Sequence, residues 1–320
     1  MTAAVSAADG PGPGASRPGD RTRATAFIVL SACCFGSISI LTILATRTGA
    51  SLLTVITGRY AFAAIALALT PLLRRGISLR IPASRAARIA FGAGAVQAAI
   101  AFVTLRSLDY ISAATLVFLF YTYPAWVAII AAVRGTERID RSRAIALTLA
   151  LLGIVLMVGG PGSVAVHPLG AALALAGAIL YGAYIPFIGA LQLGLPPLAV
   201  SMWISVGVAI IIGSAGLAMG DLSVRLAPVA WGSILTLAII STALAFHLFL
   251  SGLAVLGSVR TAIVSTIEPF WTSLLGAVVL SQALSGTTLL GGMLIAAAVI
   301  LLQRAAPSAR EPRSDGRRAD

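Results

Sequence analysis

Residues 259–281 read VRTAIVSTIEPFWTSLLGAVVLS, a membrane-length apolar run with an acid, Glu268, beside a proline, Pro269, near its middle. Hydrocarbon does not solvate an ionised carboxylate, and insertion scales give a cost of about 2.5 to 3.5 kcal/mol for an acid at the centre of a spanning helix. The proline removes one backbone donor, frees the carbonyl of Ser265 and bends the helix. A bent helix that carries a mid-span acid predicts a protein-lined cavity on a transport pathway.

The composition is that of an integral membrane protein. Hydrophobic residues make up 59% of the chain and charged residues 10%, with a mean hydropathy of +1.01, whereas soluble domains contain about 25% charged residues. All 22 basic residues are arginines, and the net charge is +12. Because the arginines lie between or beyond the apolar runs, we expect them to contact lipid headgroups rather than nucleic acid. The adjacent Cys33 and Cys34 are the only cysteines and suit neither a disulfide nor a zinc site, so we interpret them as apolar filler.

With about 20 residues needed to cross the hydrocarbon, the sequence predicts an all-α protein with ten transmembrane helices. We place them at about 24–45, 51–73, 87–107, 112–133, 142–160, 169–190, 198–219, 228–250, 260–281 and 286–303. The predicted domains are a disordered tail at 1–23, a first five-span repeat at 24–160, a linker at 161–168, a second repeat at 169–303 and a disordered tail at 304–320. The first apolar run exceeds the roughly 7 to 15 residues of a signal-peptide core, so it is interpreted as a retained span.

Arginine placement predicts the orientation. With a cytoplasmic N-terminus, 18 of the 22 arginines, Arg260 among them, fall on the cytoplasmic side, and Arg47, Arg106 and Arg225 fall on the other. The positive-inside rule then places both termini in the cytoplasm of a cell with this protein in its inner or plasma membrane.

The two halves of the chain resemble each other. A shift of 145 residues lays 112–157 over 257–302 without a gap. The matched pairs are Pro124 with Pro269, Trp126 with Trp271 and, at a shift of 146, Gly36 with Gly182. Because each half holds an odd number of predicted spans, the second half must enter the membrane from the opposite side. Inverted repeats of this kind place a transport site at the midplane between the halves.

Two segments carry a family resemblance: SAATLVFLFYTYPAWVAIIAAVRGTE at 112–137 and SVRTAIVSTIEPFWTSLLGAVVLSQ at 258–282. With the five-plus-five span pattern, they make the chain resemble the EamA-type family of the drug/metabolite transporter superfamily. The resemblance implies export of amino acids, related metabolites or drugs, with protons as an exchange partner. One departure is that the acid Glu137, which closes the span in the first repeat, has Gln282 as its counterpart in the second.

Glu268 and Arg59 are the charged candidates for the site. Glu268 is predicted to bind a coupling proton or a substrate amine, and the alternative is a neutral acid that caps the broken backbone. Arg59, about eight residues into the second span, pairs with Glu268, binds a substrate carboxylate or snorkels to the headgroups.

The remaining candidates are uncharged at neutral pH. Mid-span aromatic residues predict a cavity lining, although ordinary helix packing explains each one singly; those assigned to the site are Tyr123, Trp126, Tyr181, Tyr184 and Trp271, and Tyr121 and Phe270 share their depth. Gln97 is a ligand group or a polar contact between helices. His247 is a proton relay or a packing histidine. Pro124 and Pro269 are predicted structural kinks.

The resulting hypothesis is a transporter, not an enzyme, that moves a small metabolite, amino acid or drug by alternating access. Its partners would be that substrate, the lipid bilayer and protons, without nucleic acid, metal or cofactor. An uncoupled facilitator is the first alternative. A membrane enzyme acting on lipid-linked substrates needs a cluster of interfacial acids, whereas the loops offer only scattered Asp109, Asp140 and Asp221. A structural scaffold without a cavity is the third.

Overall fold

The computed structural model describes residues 18–73, 79–111, 113–136, 139–158, 167–280 and 286–304, and every secondary-structure element in those ranges is helical. This confirms the predicted all-α class. Glu137, Gln282, the connector at 159–166 and the tails at 1–17 and 305–320 lie outside the described residues.

The first half contains eight α-helices within the described residues. They are α1 (Pro18–Gly36), α2 (Ile38–Arg47), α3 (Leu52–Leu73), α4 (Ala83–Ala87), α5 (Gly94–Arg106), α6 (Ala113–Phe120), α7 (Tyr123–Val133) and α8 (Arg141–Val158). A π-helical segment, Arg88–Ala93, joins α4 to α5 and is called the first π turn.

The second half continues with seven α-helices in the same described part of the chain. They are α9 (Pro168–Leu191), α10 (Pro197–Ala218), α11 (Pro228–Ala238), α12 (Ala245–Leu256), α13 (Ser258–Ser265), α14 (Ile267–Leu280) and α15 (Gly286–Arg304). The second π turn, Ile239–Leu244, joins α11 to α12. Helices α9, α10 and α11 begin at prolines, which suit the first helical position because the amide there needs no partner within the helix.

Within the part of the chain that the structure describes, six helical stretches are long and apolar enough to cross a membrane. They are Gly19–Arg47, Leu52–Leu72, Ala83–Arg106, Pro168–Leu191, Pro197–Ala218 and Pro228–Leu256. Two of the other predicted spans, at 112–133 and 260–281, fall short because each is broken into two short helices. The structure thus supports a multi-pass membrane protein, and the count of ten spans stays a prediction.

Helix α1 begins earlier than expected. Residues 18–23, assigned to the disordered tail, belong to the helix instead. Asp20 lies in the first turn of α1, where a negative charge interacts favourably with the positive end of the helix dipole. Residues 1–17 are rich in proline, glycine, alanine and serine, and extending that disordered assignment to residue 23 put the predicted start of the helix too late.

Helices of the two halves pack in matching pairs. Helix α1 packs on α12 and α14, and its counterpart α9 packs on α5 and α7. Helices α3 and α10, and α8 and α15, each pack on their own counterpart, and α7 of the first half packs on α13 of the second. The two halves therefore form one packed unit in which the α6–α7 and α13–α14 pairs lie together.

The third predicted span of each half contains one of the two π turns, which the sequence did not predict. A π turn takes part of the backbone out of the regular α-helical hydrogen-bond pattern. At the second turn, the carbonyl of Ser241 accepts a hydrogen bond from Arg59 Nη2 at 3.3 Å. At the first turn, Gly207 of α10 lies so close that a Cβ there would overlap the carbonyl oxygen of Ala90.

Arg260, at the start of the predicted span 260–281, was counted among the arginines on the cytoplasmic side, but it lies inside the protein. It is the third residue of α13, is 7% exposed, and donates from Nη1 to the carbonyl of Leu302 at 3.1 Å. That carbonyl belongs to the last turn of α15, where carbonyls lack donors within the helix. Arg260 thus supports the end of α15 and should not be counted among headgroup-facing arginines.

Candidate functional site

The span that contains Glu268 is interrupted at Thr266. The Thr266 amide donates to the carbonyl of Ile263 at 3.2 Å, and the Thr266 hydroxyl donates to the same oxygen at 2.7 Å. Pro269 then falls in the first turn of α14, where its missing N–H does not disturb the helix. Glu268 lies in the same turn, at the positive end of the helix dipole.

The α6–α7 pair is interrupted in the same way at Tyr121 and Thr122. The Thr122 hydroxyl donates to the carbonyl of Leu119 at 2.7 Å, and Pro124 lies in the first turn of α7. Two proline-containing breaks therefore stand at the places that the 145-residue shift matches.

The two breaks meet through Glu268. The Tyr121 hydroxyl lies close enough to the Glu268 carboxyl group to interact with it, so the acid of the second half reaches the break of the first. Arg59 of α3 is close enough to interact with the carboxylate electrostatically. Glu268 remains partly exposed, which leaves it accessible to a ligand or a proton.

Arg59 is anchored inside the protein. Its side chain is buried, Nε donates to Thr242 Oγ1 at 2.6 Å, and Nη2 donates to the Ser241 carbonyl. The guanidinium carbon lies 5.0 Å from the ring centre of Tyr60, within the range of a cation–π contact. This geometry disagrees with snorkelling and ties Arg59 to the second π turn.

Aromatic rings pack around the first break, and we call Phe120, Tyr121, Tyr123, Tyr181 and Tyr184 the aromatic cluster. The ring centres of Tyr123 and Tyr181 are 4.8 Å apart, those of Phe120 and Tyr181 5.6 Å, and those of Tyr181 and Tyr184 6.4 Å. The structure thus brings three of the predicted aromatic residues together. Because Tyr121, Tyr123 and Tyr184 are buried, their rings contact one another rather than an open space.

Trp126 and Trp271 each pack against a glycine of the other half. A Cβ on Gly182 would lie 2.6 Å from Trp126 Cβ, and one on Gly36 would lie 2.8 Å from Thr272 Oγ1 and 3.1 Å from Trp271 Cδ1. The two matched tryptophans therefore contact the two matched glycines, each across the boundary between the halves. Glycine is required for this close approach of helices.

Gln97 contacts a residue that the sequence interpretation missed. Its Nε2 donates to the Tyr60 hydroxyl at 3.3 Å, and the Tyr60 ring packs edge-on against Phe246. Gln97 Oε1 and the Tyr184 hydroxyl are buried without a hydrogen-bond partner within the described structure. Buried polar atoms are normally satisfied by protein or water, so these two are available to water or ligand. The position of Tyr60 beside a mid-span arginine was the available signal.

His247 lies apart from these groups. It is half-buried on α12, and its Nδ1 has no hydrogen-bond partner among the described residues. The hydrogen bonds of the described chain do not join it to Glu268, and its neighbour Phe246 makes the contact with Tyr60 instead. A relay through His247 stays a prediction.

A cavity of about 410 Å³ lies beside the break in α14, between α1, α2, α11, the second π turn and α14. Its lining includes Cys33, Trp271 and Leu275. Glu268 shares a face of α14 with Trp271 and Leu275, because residues three and seven positions apart lie on one side of a helix. Glu268 also acts electrostatically on Cys33. Glu268 is not itself a lining residue, but it lies one turn before the lining residue Trp271 on the same face of α14, and the cysteine interpreted as filler does line the cavity.

Comparison with known protein families agrees with this arrangement. The sequence model of the EamA-like transporter family matches residues 22–159 and again residues 168–304. The chain belongs to the EamA-like transporter family. The family consists of membrane transporters rather than enzymes, and its two matches in this EamA-like transporter correspond to two repeats.

The fold of this EamA-like transporter is also present among solved structures. One crystal structure has a TM-score of 0.73 at 20% sequence identity, over 88% of this chain and 96% of that chain. No curated protein matches the sequence. Because identity this low establishes the fold alone, the substrate has to be argued from the site.

The sequence interpretation also missed the polar groups of the second π turn. Ser241 and Thr242 stand side by side in the middle of the 228–250 span, and both bind Arg59. Ser241 Oγ also pairs with Ser37 Oγ at 2.7 Å, which connects this turn of the EamA-like transporter to the junction of α1 and α2. Adjacent mid-span hydroxyls were the available signal.

Proposed function

We propose that the protein exports a small metabolite, amino acid or drug by alternating access, in exchange for protons, with Glu268 as the group that binds the proton or the substrate amine. The observation that carries this proposal is the contact between Tyr121 and Glu268. It puts a partly exposed acid where the broken helices of the two halves meet.

The proposal includes ten spans arranged as two inverted five-helix repeats with cytoplasmic termini in the inner or plasma membrane. The matched helix pairs support this topology. So do the two contacts between tryptophan and glycine, because the first half supplies the tryptophan in one contact and the glycine in the other. An odd number of spans per repeat produces the inversion. The arginine bias supports the orientation, with Arg260 set aside.

Proton binding would change the contact between the two halves. Ionised Glu268 interacts with the Tyr121 hydroxyl and attracts Arg59, whereas protonated Glu268 has lost the attraction to Arg59. A ligand or proton shifts a conformational equilibrium only through different interactions in the two states. Because the short helices on either side of each break are joined by one or two non-helical residues, they supply elements that can move against each other.

The test is transport by purified protein in proteoliposomes with an imposed pH gradient. Substrates are first chosen by screening amino acids and cationic drugs for compounds that raise the unfolding temperature. Glu268→Gln should abolish the response of transport to the gradient. Asp221→Asn is the matched control, because it makes the same chemical change at an exposed loop position.

Each outcome distinguishes a mechanism. Wild-type transport that ignores the pH gradient would identify an uncoupled facilitator. A normal gradient response in Glu268→Gln would remove the coupling role from this acid.

A further inference from the structure

The cavity beside α14 opens sideways. Leu30 and Ile240 are among its lining residues and are 50% and 43% exposed. Both lie near the middle of their helical stretches, Gly19–Arg47 and Pro228–Leu256. The middle of a spanning helix lies within the hydrocarbon, so this opening faces lipid tails.

Most of the lining is apolar, and Leu30, Leu41, Leu44 and Leu275 contribute to it. Ser37 is polar, but its hydroxyl is already bonded to the Cys34 carbonyl and to Ser241 Oγ, each at 2.7 Å. Glu268 is a charged group on the face of α14 that carries the lining residues Trp271 and Leu275.

We propose that this cavity binds the apolar tail of an amphiphilic cation, an alkylammonium or arylammonium compound that enters from the hydrocarbon and places its ammonium group at Glu268. The inference rests on the proposed function, because it names the substrate class for the same acid.

The charge arrangement favours a cation. Arg59 is buried against the second π turn by Thr242 and Ser241. Glu268 is partly exposed and interacts electrostatically with Cys33, which lines the cavity. An ammonium group that arrives through the cavity therefore meets the carboxylate.

Size and solvation require both parts of the ligand. A volume of about 410 Å³ lies within the range of small-molecule pockets, about 300 to 1,000 Å³. A tail that leaves lipid for a protein cavity gains nothing from the release of water, so fit selects the tail. An ammonium group buried at this depth needs an opposite charge beside it. The carboxylate of Glu268 meets that need, so the site favours a cationic head group.

Trp271, which lines the cavity, provides the readout. The protein is placed in phosphatidylcholine nanodiscs and titrated with an alkyltrimethylammonium whose chain ends in bromine, which quenches tryptophan fluorescence on contact. We expect saturable quenching that disappears in Trp271→Phe. In Glu268→Gln the affinity should fall about tenfold or more, as for the loss of a charged contact.

Two matched variants test the position of the tail. Leu275→Phe adds bulk inside the cavity, whereas Val278→Phe adds it on the same helix at a position that is 76% exposed. The first should weaken binding of a long-chain ammonium several-fold, and the second should leave it unchanged. The thermal unfolding of each variant is measured to confirm that it is folded.

Several results would overturn the proposal. They are equal affinity for a brominated alkanol of the same length, unchanged affinity in Glu268→Gln, and equal effects of the two phenylalanine variants. A groove occupied by lipid would also overturn the proposal. It would be identified if brominated phosphatidylcholine quenches the tryptophan fluorescence and the ammonium compound fails to relieve that quenching.

The quenching assay requires no transport, so the two proposals fail separately. Saturable, Glu268-dependent quenching without flux would support the cavity site and reject the transport role. Flux of hydrophilic amino acids without quenching would support transport and reject the amphiphilic substrate.

Discussion

The two broken spans share a common frame, and the residue that precedes the proline differs between them. Each break has a threonine, Thr122 or Thr266, whose hydroxyl bonds a carbonyl three residues back at 2.7 Å. Each continues into a proline and a tryptophan that packs on a glycine of the other half. Before the proline, however, the first has Tyr123, 1% exposed, and the second has Glu268, partly exposed beside the cavity.

This difference separates packing from chemistry. The elements that hold the breaks together occur twice, whereas the acid at this position occurs once. Tyr123 faces the carbonyl of Ala262 at 3.5 Å, a long contact for a hydroxyl donor. Tyr123 therefore fills space at the position where the second half has an ionisable group, so the repeated scaffold carries a single acid there.

Substitution of the two residues should give very different transport rates. We expect Glu268→Gln to reduce gradient-driven transport to about a tenth or less, because hydrogen bonds to charged groups contribute about 1.5 to 3 kcal/mol. Tyr123→Phe removes the long contact with the Ala262 carbonyl and an uncharged interaction with Ser265, and should stay within about twofold of wild type. Initial rates in proteoliposomes at a fixed pH gradient provide the measurement, and equal losses would contradict the distinction.

The two glycine contacts should differ in stability. Gly182→Ala places a Cβ against Trp126 Cβ, which is fixed to the backbone, so we expect a loss of about 1 to 3 kcal/mol by overpacking. Gly36→Ala first meets the Thr272 hydroxyl, which can rotate away at the cost of about one hydrogen bond, about 0.5 to 1.5 kcal/mol.

Thermal unfolding in a single detergent measures both glycine variants. Gly232→Ala is the control, since its Cβ would meet nothing within 4 Å. A Gly36→Ala protein less stable than Gly182→Ala would show that the α1–α14 contact is the more rigid one.

The π turns extend the comparison, because Arg59 holds the second one through Thr242 and Ser241. Arg59→Lys keeps the charge but loses the planar fork that reaches both Thr242 and Ser241. We expect the free energy of unfolding to fall by about 0.5 to 1.5 kcal/mol. Arg225→Lys, at an exposed position, should change it little, and equal unfolding free energies for the two variants would contradict the anchoring role.

Much of the shared frame was predictable from the sequence. Apolar runs of membrane length gave the helices, and Pro124 and Pro269 marked the places where two spans break. The match of Gly36 with Gly182 anticipated contacts because close helix approach permits few residue types. Glu268 was identifiable because an acid within an apolar run is costly unless protein surrounds it.

The rest depends on contacts between distant segments. A π turn has no residue pattern of its own, and the second one is accompanied by the bond from Arg59, about 180 residues earlier. Arg260 looked like a loop residue because its partner, the Leu302 carbonyl, is backbone near the other end of the half. Likewise, the cavity requires α1, α11 and α14 together, so Cys33 gave no signal by itself.

The two threonines should show the smallest and most equal effects. Thr122→Val and Thr266→Val each remove one hydroxyl bond within the membrane, where such bonds average about 0.6 kcal/mol. Both carbonyls keep a backbone donor, the Thr122 amide at 3.3 Å and the Thr266 amide at 3.2 Å, so neither is left unpaired. Equal losses below about 1 kcal/mol in thermal unfolding would show that the frame is energetically as well as geometrically repeated. A clearly larger loss in Thr266→Val would mean that the break beside Glu268 is strained, and asymmetry would then extend from the acid to its support.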